Sequence, residues 1–410
     1  MGILQALSLY DDLDKGPRRK EAPEYPRGGR NRVEPRPQRS KGEALRDPIV
    51  ITSPHYNRYS AGNVDVTLLF REFERIASVE VRDFSLNAAR RGDYDIIHVH
   101  WPEWLPRREK TPWLAALSAM WVLNSLAAAQ KRGTKLVWDA NNTMPHEPVF
   151  RELTDKFMMR FAAMSDLFVS CNASLGDEFI AKFPVLISKK RRLLGNRNYV
   201  GVYAHETESS ENARRLLGLP TDEPIALAFG SARHYKNLPG MIDTFARYRQ
   251  RTNRACTLLV AGGVTDSALE REIRQAGERD PRGIRLDLHF VPESDVALYF
   301  RAASLALIGT VQAVKSSVAG LALSLGTPVW VPRRGAAIDD ADEIDEPMLN
   351  TYDGGITEAI IHRALDMSEN VRHHIPPALR DGRIGESWSA YAQRMLDEYR
   401  SVLSSRNDGR

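Results

Sequence analysis

Tyr94-Asp-Ile-Ile-His-Val-His-Trp101 and Thr134-Lys-Leu-Val-Trp-Asp-Ala-Asn141 are two short apolar runs, and Trp113–Gln130 between them carries no charged residue. A short apolar run, a helix-length stretch and a second short run form a β-α-β unit. Such a crossover forces the two strands to lie parallel. The uncharged stretch is long enough to suggest a membrane span. Its Ala-rich composition, Asn124 and its place between two strand-like runs fit better with a helix buried on a parallel sheet.

The alternation extends in both directions. Strand-like runs are Pro48–Ser53, Val79–Phe84, Tyr94–Trp101, Thr134–Asn141 and Asp166–Cys171, with helical stretches around Val64–Ala77, Pro112–Arg132, Val149–Met164 and Ser174–Phe183. A second series follows at Ile225–Gly230, Cys256–Gly262, Ile284–Val291, Leu305–Thr310 and Pro328–Pro332. Its helices fall around Leu238–Arg251, Asp266–Glu278, Asp295–Ala303 and Ser317–Leu325. The pattern predicts an α/β protein of two Rossmann-like doubly wound domains facing one cleft. The expected divisions are 48–206 for the N-terminal domain and 207–385 for the C-terminal one. Residues 386–410 are read as a last helix returning to the first domain.

Composition agrees. The 410 residues are 42% hydrophobic and 27% charged, ordinary for a globular chain of two domains. Residues 1–47 hold eleven Lys or Arg against eight Asp or Glu and are rich in Pro and Gly. That predicts a disordered basic leader, which takes three of the four net positive charges. The nearly neutral body shows no basic stripe, so no nucleic-acid partner is expected. Cys171 and Cys256 give neither a disulfide framework nor zinc-ligand spacing. Met1–Tyr10 lacks a basic region before its apolar stretch and makes a poor signal peptide.

Ligands of open α/β sheets bind beyond the carboxyl ends of the strands, so the loops there carry the candidates. Ser53–Asn63 is polar and small, and leads into a helix. In Ile97-His-Val-His-Trp-Pro-Glu-Trp104, His98 and His100 share a strand face, although spacing reveals no third metal ligand. Trp101, Glu103 and Trp104 suggest a sugar platform, with plain tryptophan packing as the alternative. His146 and Glu147, after Asn141-Asn142, are able to accept a proton, or serve only as caps and surface polarity. In the second half Gly230 permits a tight turn, and Arg233 and Lys236 make a candidate diphosphate clamp. Lys315, Ser316 and Ser317 open a helix whose N-terminus favours an anion. There is no Walker sequence and no Gly-x-Ser-x-Gly.

Gly230…Arg233…Lys236-Asn237 and Ala322-Leu-Ser-Leu-Gly-Thr-Pro-Val329 resemble the GT-B glycosyltransferases over about residues 48–405. His98-Val-His-Trp-Pro-Glu103 and Trp138…Asn142…Pro145-His146-Glu147 are similar to bacterial exopolysaccharide transferases related to the xanthan β-mannosyltransferase. Similar proteins often have a His-Asn pair where this chain has Asn141-Asn142. Retaining GT-B enzymes of the largest family carry two glutamates, eight apart, where this chain has Ala313 and Leu321, so the resemblance implies inversion. It further implies transfer of a hexose, from GDP-mannose or UDP-glucose, to a polyprenyl-diphosphate-linked oligosaccharide. The enzyme would work peripherally on the inner face of the cytoplasmic membrane. His146 is the leading base, then Glu103, then Glu147. Gly230, Arg233 and Lys236, supported by Lys315, Ser316 and Ser317, are expected to hold the nucleotide diphosphate without an obligatory metal or other cofactor. The alternatives are a retaining enzyme of the same fold and a non-catalytic glycan- or nucleotide-binding partner of a polysaccharide assembly complex.

Overall fold

The computed structural model describes residues 47–405 apart from 57–62, 107–110, 141–149, 310–315, 335, 342–343, 345–346, 370–373 and 383. The leader expected over 1–47 therefore lies outside the described residues except for Asp47. Six parallel strands build the first sheet: β1 (Ile49–Thr52), β2 (Val79–Val81), β3 (Ile96–Val99), β4 (Lys135–Asp139), β5 (Leu167–Ser170) and β6 (Lys190–Leu193), in the order β2-β1-β3-β4-β5-β6. Another six build the second: β7 (Ile225–Phe229), β8 (Thr257–Ala261), β9 (Ile284–Asp287), β10 (Leu305–Leu307), β11 (Val329–Pro332) and β12 (Leu349–Tyr352), ordered β12-β11-β10-β7-β8-β9. Helices cover the faces of each sheet, so the central strands are buried on both sides and mostly apolar. Every residue of β1, β3, β5 and β8 is buried.

The helix Pro112–Lys131 is the crossover between β3 and β4, and buries Ala115, Ala119, Val122, Leu123 and Leu126. It is long and apolar enough to cross a membrane. Its mixed burial is that of a helix lying on a sheet.

Two strands have no counterpart in the sequence reading. β6 is Lys-Arg-Arg-Leu, largely exposed, and β12 is Leu-Asn-Thr-Tyr. Both end their sheets, where charged and polar side chains are the rule because one edge is unpaired.

The chain leaves β6 through Leu194–Ser209 for the second sheet and comes back near its end. Glu386 bridges Arg197 by backbone pairing, and the helix Trp388–Ser404 packs against the helix Val64–Glu74 of the first half. Ser387 caps it by accepting from the Ala390 amide. Tyr391, Met395, Leu396 and Tyr399 supply its buried face. Outside that face, Glu398 receives Arg192 at 2.6 Å and Lys190 at 3.3 Å from β6.

Candidate functional site

On the second half, β7 is followed directly by Gly230, with φ of +92°. A Cβ there would stand 3.3 Å from Lys236 Nζ and 3.8 Å from Val318. The backbone conformation favours glycine, and a side chain there would also press on the ammonium folded over the turn. Lys236 Nζ donates to the Phe229 carbonyl at 3.4 Å. Burial, with Arg233 adding to it, pushes this amine down to about 8. Arg233 is exposed and donates to Thr265 Oγ1 at 3.2 Å. The Val318 contact brings the start of the helix Ser317–Ser324 against this same turn. Ser316 caps that helix by accepting from the Ala319 amide at 3.3 Å. The structure therefore brings Gly230, Lys236 and Val318, in the first turn of that helix, together, with Ser316 and Ser317 immediately before Val318 and Arg233 turned to Thr265. Lys315 lies outside the described residues.

Across the cleft the first half presents Asp65, in the first turn of the 64–74 helix. Ser317 Oγ donates to its Oδ2 at 3.1 Å, so one of the expected diphosphate ligands is already held by a carboxylate of the opposite half. The Tyr199 hydroxyl also donates to Asp65, and Arg197 Nη2 lies 3.7 Å away.

Arg197 is the centre of a buried polar cluster. Its other nitrogen is 3.8 Å from Asp139 Oδ2 at the end of β4. The guanidinium lies 4.5 Å from the ring centre of Tyr391 and 5.2 Å from that of Trp388. Burial works against its charge, but Tyr391, Asp139 and Asp65 outweigh burial and hold the group firmly protonated. Tyr391 donates to Asp139 at 3.1 Å, and Tyr399 shares a hydrogen bond of 2.6 Å with His98 Nδ1. Burial pushes His98 down to about 4, so it is neutral.

His98, His100 and Asp139 offer ligand atoms all within 4.8 Å of one another. Asp139 is the third partner that sequence spacing did not reveal. The same carboxylate oxygen already faces Arg197 and Tyr391, so the cluster as built is an ion-pair network with an organic cation.

Beyond β3, Trp101 is half-buried, edge-on to His55 at 5.2 Å between ring centres and tilted against His100 at 5.3 Å. It packs inward. Trp104 instead is exposed. Glu103 has a buried Oε2 with no hydrogen-bond partner among the described residues. Burial pushes its carboxyl up from 4.5 to about 7. His146 and Glu147 lie outside the described residues.

Asp65, Arg197 and Tyr199 were not among the sequence candidates. Asn196-Arg-Asn-Tyr199 is a polar cluster just past a strand end, which is the right signal. It was not legible because β6 itself was not.

Two parallel six-stranded sheets, each wound with helices, are shared with solved structures. Sucrose-phosphate synthase of Thermosynechococcus elongatus matches 88% of this chain and 100% of its own, with TM-score 0.64 and 17% identity. HepE of Anabaena, solved in complex with UDP-glucose, matches 87% and 96%, with TM-score 0.55 and 13% identity. The chain has the GT-B fold. In sequence it is 26% identical over 290 residues to a GDP-mannose:glycolipid 4-β-D-mannosyltransferase of Xanthomonas campestris pv. campestris, covering 70% of this chain and 76% of that one. No family model matches. The resemblance read from the sequence holds, both in the fold and in the glycosyltransferase relative.

Proposed function

We propose that this protein is an inverting hexosyltransferase, taking its sugar from a nucleoside diphosphate and passing it to a polyprenyl-diphosphate-linked oligosaccharide in exopolysaccharide assembly. The observation that carries this is the meeting of Gly230, Lys236 and the 317–324 helix N-terminus at one point of the cleft. A leaving diphosphate needs positive groups fixed where its charge develops. Lys236, Arg233 and the helix amides supply them, so no divalent ion is required and chelators leave activity intact. Lys315 would add a further cation.

The acceptor hydroxyl attacks the anomeric carbon from the face opposite the departing phosphate and gives up its proton to a base. Of the three sequence candidates, Glu103 has structural support. A carboxyl raised to about 7 is a stronger base than an ordinary one and still ionises near neutrality. His146 and Glu147 remain proposals for the same role. Leu321, at one of the two places where retaining enzymes carry glutamate, is a buried apolar side chain and favours inversion. A lipid-linked acceptor puts the reaction at the inner face of the cytoplasmic membrane.

GDP-mannose is the first donor to test, from the Xanthomonas relative, and UDP-glucose the second, from the Anabaena complex. Purified protein, radiolabelled donor and polyprenyl-linked acceptor should give lipid-extractable label with one of them. No transfer from either overturns the proposal.

A further inference from the structure

The 112–131 helix turns an apolar stripe to solvent as well as one to the sheet. Trp113 is 62% exposed, Leu117 54% and Met120 53%. Their spacing of four and three residues puts them on one side of the helix. These large exposed side chains all fall within its first nine residues. Further along, the exposed positions are Asn124 and Lys131. The helix begins just beyond the carboxyl end of β3, so the apolar part is the end nearer the cleft.

The neighbouring helix Arg151–Met164 packs beside it and exposes Met159, 55%. Met159 is flanked by exposed Lys156 and Arg160. That helix also exposes Arg151 and Glu152, while Asp155 is engaged by Lys182 at 3.8 Å. Cations thus outnumber free acids beside the apolar stripe.

We propose that Trp113, Leu117, Met120 and Met159 form a face that docks on an anionic phospholipid bilayer, with Lys156 and Arg160 over the headgroups. A large exposed apolar patch on a soluble chain marks an interaction surface. A tryptophan at the polar boundary with adjoining cations is the composition suited to a membrane interface. The position at the cleft end gives it a use. A sugar acceptor anchored in the bilayer would reach the cleft without its lipid leaving the membrane. The use rests on the transferase reading above, but the docking itself does not.

The test is flotation of the full-length protein with phosphatidylcholine vesicles, with and without phosphatidylglycerol. Wild type should float with the anionic vesicles. The combined variant Trp113→Ser, Leu117→Ser, Met120→Ser should partition about tenfold less or weaker. Lys156→Glu with Arg160→Glu should remove most of the preference for anionic over neutral vesicles. Both should melt as wild type does, since all five side chains are exposed. Equal flotation of the triple variant and wild type overturns the proposal. So does a wild type that ignores vesicles but dimerises through this face, seen as a dimer that the triple variant abolishes. Vesicle binding without sugar transfer from either donor would sink the transferase reading and leave the docking face standing.

Discussion

Glu103 and Lys236 are the two groups whose ionisation ties structure to chemistry most closely. The Glu103 carboxyl is pushed up, from 4.5 to about 7. A raised folded-state value means that the fold favours the protonated form. Stability from this group is therefore complete below pH 4.5 and is lost as pH rises through 7. Glu103→Gln should match wild type in stability at pH 4.5. At pH 8 it should be more stable by up to roughly 3 kcal/mol in urea unfolding. The same variant should lose most of its transfer activity, and wild-type kcat/KM should climb through pH 7 as the base ionises. A variant that is stabilised but fully active would leave Glu103 a buried acid without catalytic duty. Lys236 behaves in the opposite sense. Its ammonium, at about 8, is charged at neutrality and is discharged as pH rises further. GDP or UDP affinity should fall through pH 8, and Lys236→Ala should weaken it about ten- to hundredfold at pH 7. Calorimetric titration at several pH values checks both. Unchanged affinity in the variant removes Lys236 from the clamp.

At the scale of elements, the short helix Ser317–Ser324 has two demands placed on its start. Ser316 caps it, and in the proposed function its amides face the diphosphate. Ser316→Ala should cost about 1 kcal/mol of stability, and Ser316→Gly only a few tenths, because glycine is a tolerable cap. If the Ser316 hydroxyl also touches phosphate, the two variants lose nucleotide affinity equally despite their different stabilities. Comparing thermal melts with nucleotide titrations separates capping from binding. The elements also show what was legible. Apolar runs such as Ile225–Phe229 and Thr257–Ala261 announced central parallel strands because both faces of those strands are covered. β6 escaped because a sheet edge tolerates charge, and β12 because Asn350 and Thr351 leave it no apolar run. With β6 went the polar cluster at its end, so Arg197 and Tyr199 could not be placed. His98, His100 and Asp139 converge through the pairing of β3 with β4, a register that residue spacing along one strand does not encode. The cations near Gly230 were readable because a tight turn, a helix start and two basic residues occur within eight positions.

Across the whole molecule, the connection 194–209 and the returning C-terminal helix draw the first half together around Arg197. This residue is the only buried cation seen between Asp65 and Asp139 among the described residues, and Asp65 in turn receives Ser317 from the second half. Removing one member of such a buried set leaves uncompensated charge. Arg197→Ala should lower unfolding free energy by about 3–5 kcal/mol in urea titration. A loss under about 1 kcal/mol would mean that the two carboxylates find water or protons without it. The inverting mechanism proposed for the cleft is tested most directly by the stereochemistry of its product. The anomeric linkage in lipid-extracted product should be read by one-bond carbon–proton coupling for mannose, or by proton–proton coupling for glucose. Starting from an α-linked donor, a β linkage is predicted, and an α linkage would contradict the inverting mechanism.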